Sequence, residues 1–316
     1  MADDLVVLRQ PDVNNPPLVI GLTGWMDGGN VSTGTVRYLK NKLGAVEFGE
    51  IKPHDFYILN FPISTIPVAV QTEEGKTVLT SVNPMEIAAI FRPHTRIEDG
   101  VIQELSYPDN IFYASESANL LMLSGDEPHV RWGAYCDCIF KVARDLGVTQ
   151  IIFVGSVAAP LPHTREPRMR ASMADPRLKE RLVGLDVGFS EYEGPASVIT
   201  ALSHQSVEYG IDMLSLVTEV PHYPFLEMTT YPKSILKAAS TVDTLLDLSL
   251  DLTDLQESVV RANQKLDEAV GENESFQELV AKLETAYDQE ELATDDDELL
   301  RRLMGGMELE DDYRGN

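Results

Sequence analysis

The sequence predicts an α/β protein: a parallel-rich sheet with helices on both faces, followed by a C-terminal extension made of helices alone. Three observations predict it. Short apolar runs alternate with helical spacings up to about residue 230. One run, "TQIIFVGSV" at 149–157, is continuous and β-branched, as expected of a strand covered on both faces. After Pro232 the strand signals stop, and apolar residues recur three and four apart.

The elements follow in order. Leu18, Val19 and Ile20 begin a buried strand, and a helix is predicted from about Gly29 to Leu43. The stretch 52–110 is proline-rich, although "VAVQT" and "TVLTSV" can pair as a hairpin. "IFYA" (111–114) and "NLLMLSG" (119–125) read as strands. "VRWGAYCDCIFKVARDLG" (130–147) reads as a helix stopped by Gly147. After the strand at 149–157 come a helix within 194–210, ended by Gly210, and a strand at 212–221. Strand–helix–strand repetition implies parallel pairing. Beyond Pro232, a helix carries Ile235, Leu236, Ala239, Val242, Leu245 and Leu246 on one face. A helical hairpin follows, with Gly271 as its stop and a capping box from Ser275 to Glu278. "TDDDELLRRLMGG" signals one more short helix, capped by Thr294. The division expected is an α/β core over 1–232, a helical region over 233–305 and an acidic tail over 306–316.

Composition narrows the partners. The chain has 316 residues and a formal charge of −26. Nucleic acid and anionic membranes are disfavoured by repulsion. There is no apolar run of membrane-spanning length, and Met-Ala-Asp-Asp does not open a secretion signal. The two cysteines, Cys136 and Cys138, sit two apart on a predicted helix, where a disulfide is disfavoured; buried thiols in a cytoplasmic protein are expected.

Three stretches can carry function. The first is "GLTGWMDGGN" at 21–30. It lacks the G-x-G-x-x-G spacing and the Gly-Lys-Ser/Thr ending of the two best-known phosphate loops. Asp27 or Asn30 can cap the next helix, while Gly28 and Gly29 allow close approach of backbone or ligand. A tight strand-to-helix turn is the simpler reading. Trp25, Asp27, Gly28 and Gly29 are its candidate ligand or interface residues.

The second stretch, "VGSVAAPLPHTREPRMRASM" (154–173), starts where a buried strand ends, the usual place for ligands in open parallel sheets. Ser156, His163, Thr164, Arg165 and Arg168 are its candidates, with Arg170 close behind. Arginines clustered in an acidic chain imply carboxylate or other anionic partners. A small molecule, an acid of the same chain or an acid of a neighbouring subunit would each serve, and an internal or intersubunit ion pair is favoured. The third stretch is "EVPHYPF" (219–225), where His222 follows a strand. His204 falls inside a helix and reads as structural. No nucleophile elbow, metal-ligand spacing or triad emerges, and neither a cofactor nor a metal is implied.

Together, "GLTGWMDGGNVSTGTVRYL", "FVGSVAAPLPHTREPRM" and "YEGPASVITAL…SLVTEVPHYPF" resemble the proteasome assembly chaperone 2 family, in particular its actinobacterial branch. The resemblance covers most of residues 5–250. It implies a Rossmann-like domain, similar in outline to nucleoside phosphorylases, that forms cytoplasmic oligomers. Eukaryotic members dock through a hydrophobic–Tyr–any tail, whereas this sequence ends Tyr313-Arg314-Gly315-Asn316. The leading expectation is a non-enzymatic homo-oligomer, a trimer by preference, that binds proteins. In it, Arg165 and Arg168 would meet a neighbour's carboxylates. The alternative is a small-molecule enzyme or sensor holding an anionic nucleoside or phosphate compound between Asp27, Arg165 and His222.

Overall fold

The structure is a computed structural model that describes residues 4–59, 69–71, 77–79, 91–223 and 230–289. The short helix read at 294, the acidic tail and Tyr313 lie outside them.

Nine strands form one sheet. In chain order they are β1 (Leu5–Val7), β2 (Pro17–Leu22), β3 (Val46–Ile51), β8 (Asn110–Ser115), β9 (Leu120–Gly125), β10 (Gln150–Ala159), β11 (Met169–Ser172), β12 (Gly188–Phe189) and β13 (Asp212–Pro221). The spatial order is β1-β3-β8-β9-β2-β10-β13-β11-β12. Two antiparallel ribbons stand apart: β4 (Ala69–Gln71) with β5 (Thr77–Leu79), and β6 (His94–Glu98) with β7 (Val101–Ser106). The first is the hairpin expected from "VAVQT" and "TVLTSV".

The four central strands, β9, β2, β10 and β13, are mutually parallel. The flanks are not. β8 and β9 pair antiparallel, as do β3 with β8, β1 with β3, and β11 with β13. The turn between Ser115 and Leu120 is too short for the crossover that parallel pairing requires, so these strands fold back as a hairpin.

Side-chain alternation divides the centre into two cores. On β10, Ile151 and Phe153 face one side, and Ile152 and Val154 face the other. The first side is covered by α2 (Trp132–Asp145), through Tyr135, Ile139 and Phe140, and by α3 (Val198–Tyr209), through Ile199 and Leu202. The second is covered by α1 (Val31–Lys42) and α4 (Pro232–Leu246), the latter burying Ala238, Ala239 and Val242. α5 (Thr253–Gly271) and α6 (Glu274–Asp288) extend this second core with Leu255, Leu266, Phe276, Val280 and Leu283. The cap of α6 is Asn273, whose side chain accepts the Phe276 N–H at 3.1 Å; it lies two residues before the serine expected there.

Cys136 and Cys138 are both free and buried. Burial is the main cause that pushes their thiols up, to about 12 and about 11. Among the described residues no helix is long and apolar enough to cross a membrane.

Candidate functional site

The glycine turn is a packing device. Gly21, next to last in β2, lies against α1, where a Cβ would collide with the Ser32 carbonyl and the Val36 side chain. Gly29 has φ +59°, a conformation glycine adopts without strain. Its carbonyl accepts the Tyr231 N–H at 2.9 Å, which ties the turn to the start of α4.

Asp27 supports α1. One oxygen accepts the Thr33 N–H at 3.1 Å, and the other accepts the Thr33 hydroxyl at 2.7 Å. Burial raises its pKa, and these bonds partly oppose that rise. Asn30, directly before α1, makes no side-chain cap bond. Ser156 is fully buried. Its N–H donates to the Met26 carbonyl at 2.9 Å and its hydroxyl to the Gly28 carbonyl at 2.6 Å. The serine therefore knits the turn to β10. Trp25 differs from these: its backbone N–H is held by Glu127 at 3.0 Å, but its side chain stands in solvent, the residue being 67% exposed.

The loop 160–168 clamps the C-terminal helices. His163 is buried between Tyr223, whose hydroxyl is 2.7 Å from Nδ1, and Asp267, 3.1 Å from Nε2. The Tyr223 hydroxyl also accepts the His163 backbone N–H at 2.7 Å. The Asp267 carboxylate can only accept, so it takes the Nε2–H, and Nδ1 of the neutral ring accepts from the Tyr223 hydroxyl. Thr164 donates its hydroxyl to Glu284 at 2.5 Å. Arg165 grips Asp288 with two bonds, at 2.7 and 2.6 Å, and reaches Glu284 at 3.3 Å. Arg168 lies over the Tyr287 ring, 4.2 Å from its centre. Lys233 fastens the loop from below, donating to the carbonyls of His163 and Arg165. Of the two ion-pair readings open from sequence, the described contacts of Arg165 are internal: its acids are on α6.

His222 is exposed at the end of β13, with its N–H on the Ala159 carbonyl at 3.3 Å. Asp27, Arg165 and His222 thus occupy separate contact sets. A large cleft of about 1050 Å³ opens elsewhere, on the α3 face of the sheet. Its floor is Val157 of β10 with Ser215, Val217 and Glu219 of β13. Its walls include Trp25, Arg170, Phe189, Tyr192 and His204. Of the residues singled out from sequence as candidates, Trp25 and Arg170 line it, and the others do not. His204, read as structural, is exposed on α3 and faces it. Helical periodicity places His204 on a helix but does not show that this side meets an opening.

A second exposed feature is the β6–β7 ribbon. Its register puts Ile97 opposite Ile102, and Thr95 opposite Leu105. Ile97, Ile102 and Leu105 therefore share one face, and they are 58, 66 and 53% exposed. The other face carries Arg96, paired with Glu98 at 2.6 Å and with Glu104 at 3.6 Å.

The fold has solved counterparts. A Mycobacterium tuberculosis protein of unknown function, Rv2714, is similar with a TM-score of 0.74 and 22% identity, over 92% of this chain and 90% of that one. The M. tuberculosis proteasome-assembly chaperone homologue Rv2125 gives 0.66 and 23%, over 84% and 99%. Pyrococcus furiosus PbaB, an archaeal proteasome activator, gives 0.57 and 22%, over 84% and 97%. No curated protein matches the sequence. The family model described as PAC2 family matches residues 21–270, and the chain belongs to that family.

Proposed function

We propose that this protein acts by binding other proteins, as a non-enzymatic, self-associating member of the PAC2 family in the cytoplasm. The observation that carries the reading is the β6–β7 ribbon. A two-stranded ribbon is marginal in water on its own, and this one exposes three large aliphatic side chains on one face while its charges pair on the other. Covering that face with protein removes the cost. The fold's likeness to a proteasome-assembly chaperone homologue and to an archaeal proteasome activator supports the same reading, since both names refer to a protein assembly. A closed trimer satisfies every copy of one contact. Because Arg165 is occupied within the chain, the ribbon is the better candidate for that contact. Light scattering on the purified full chain tests it. The expected mass at micromolar concentration is three chains, falling to one in Ile102→Asp. A wild-type monomer across that range removes the self-association reading.

A second reading, an anion-binding protein, is favoured by the large cleft and by Arg170 in its wall.

A further inference from the structure

We propose that the cleft on the α3 face receives the free C-terminus of an extended peptide, with Arg170 holding its terminal carboxylate and Trp25 and Tyr192 flanking an apolar last side chain. The proposal rests on the protein-binding reading above and names a second surface for it.

Arg170 is the starting point. It is half-buried in a chain with 25 basic and 51 acidic residues, yet its side chain makes no hydrogen bond or ion pair with any described residue. Its neighbours in sequence behave otherwise: Arg165 is doubly bonded to Asp288, and Arg168 is stacked on Tyr287. A guanidinium partly withdrawn from water gains by pairing with a planar anion through two parallel bonds. The register places Arg170 opposite Val217, on the face that floors the cleft.

The surroundings select the anion. Glu191 and Glu193 stand exposed on the wall. Their negative charge repels a doubly charged phosphate more than a monoanion. The start of α3, which opens into the cleft, adds little: Glu127 takes the Val198 N–H at 3.2 Å, and Ser197 takes the Thr200 N–H. The carboxylate is therefore left to Arg170.

The remaining wall selects what carries it. Trp25, Tyr192 and Phe189 are 67, 68 and 46% exposed, an aromatic rim over the apolar Val157 and Val217. Aromatic rims of this kind anchor apolar side chains in protein recognition. The volume, about 1050 Å³, is at the upper end for a small metabolite and leaves room for several peptide residues.

Calorimetric titration of the full chain tests the proposal, with N-acetyl tetrapeptides ending in Leu or Phe, as the free acid and as the amide. The acid is expected to bind at least ten times more tightly than the amide. Arg170→Gln should abolish that preference, Arg170→Lys should keep part of it, and Trp25→Ala should weaken acid and amide alike. Equal binding of acid and amide, no binding by either, or a preference that survives Arg170→Gln overturns the proposal. So does 3-phenylpropanoate binding as tightly as the tetrapeptide acid, which would make the cleft a small-acid site. Light scattering in the same samples reads self-association independently, so a monomer that still prefers the acid, or a trimer that does not, separates the two readings.

Discussion

Arg165 and Asp288 form a two-pronged contact between the loop 160–168 and α6. The two-pronged hydrogen bond from Arg165 holds the Asp288 carboxyl below its ordinary value of 3.8. A carboxylate with a depressed folded pKa contributes stability above its unfolded pKa, and the contribution is lost as pH falls through the folded value. Asp288 is solvent-exposed and Arg165 half-buried, so the effect is local and screened by salt. The expected outcome is a loss of amide-exchange protection in α6 as pH falls from about 5 to about 2.5, after correction for intrinsic rates. In Arg165→Met, protection should be lower at pH 7 and should lose most of that pH step. A wild-type protection factor that stays flat over this range would show that the apolar contacts alone hold α6.

At the scale of elements, α5 and α6 are joined to the rest by both apolar and polar contacts. Phe276 meets Tyr223 edge-on at 5.0 Å between ring centres, and Tyr38 and Lys42 of α1 both reach Asp254. α4, in contrast, lies directly on α1 and β13 and buries its small residues there. We propose that the separable part starts after α4, near residue 251, although the change of pattern begins at Pro232. A chain ending at Leu250 should stay folded, because both faces of the central strands remain covered. It should also melt at a lower temperature and bind a hydrophobic dye, because Tyr223 and the outer side of α4 lose their cover. Differential scanning calorimetry and dye fluorescence check this. A truncated chain without a cooperative transition would make the helices part of one indivisible fold.

For the whole molecule, charge and surface pull in opposite directions. A net charge of −26 makes copies repel one another over roughly a Debye length, which is about 10 Å at 0.1 M salt. The ribbon's aliphatic face attracts at contact and is not weakened by screening. Association should therefore strengthen as sodium chloride rises from about 20 to about 200 mM, because salt removes the repulsion and leaves the apolar term. Sedimentation at fixed protein concentration measures it. Association that weakens with salt would assign the interface to ion pairs instead.

The sequence by itself determined the elements wherever local chemistry was decisive. The β-branched run at Ile151, Ile152 and Val154 has no use except as a strand covered on both faces, and it is one. Gly147 and Gly210 end their helices with φ +68° and +66°, the conformation that makes glycine a stop. Family membership was legible too, because short motifs such as Pro-His-Thr-Arg are contiguous and stand in order along the chain. Only the tertiary structure decided which groups meet. An arginine in an acidic chain announces a carboxylate partner, but nothing local chooses Asp288, 123 residues away, over the other acids. The antiparallel flank and the cleft are likewise products of packing. The cleft takes the end of β10, alternate residues of β13, residues of β11 and β12, one side of α3 and loops, so no contiguous stretch of sequence contains its pattern. Periodicity is a property of neighbours along the chain, whereas a cleft is a property of elements brought together by burial.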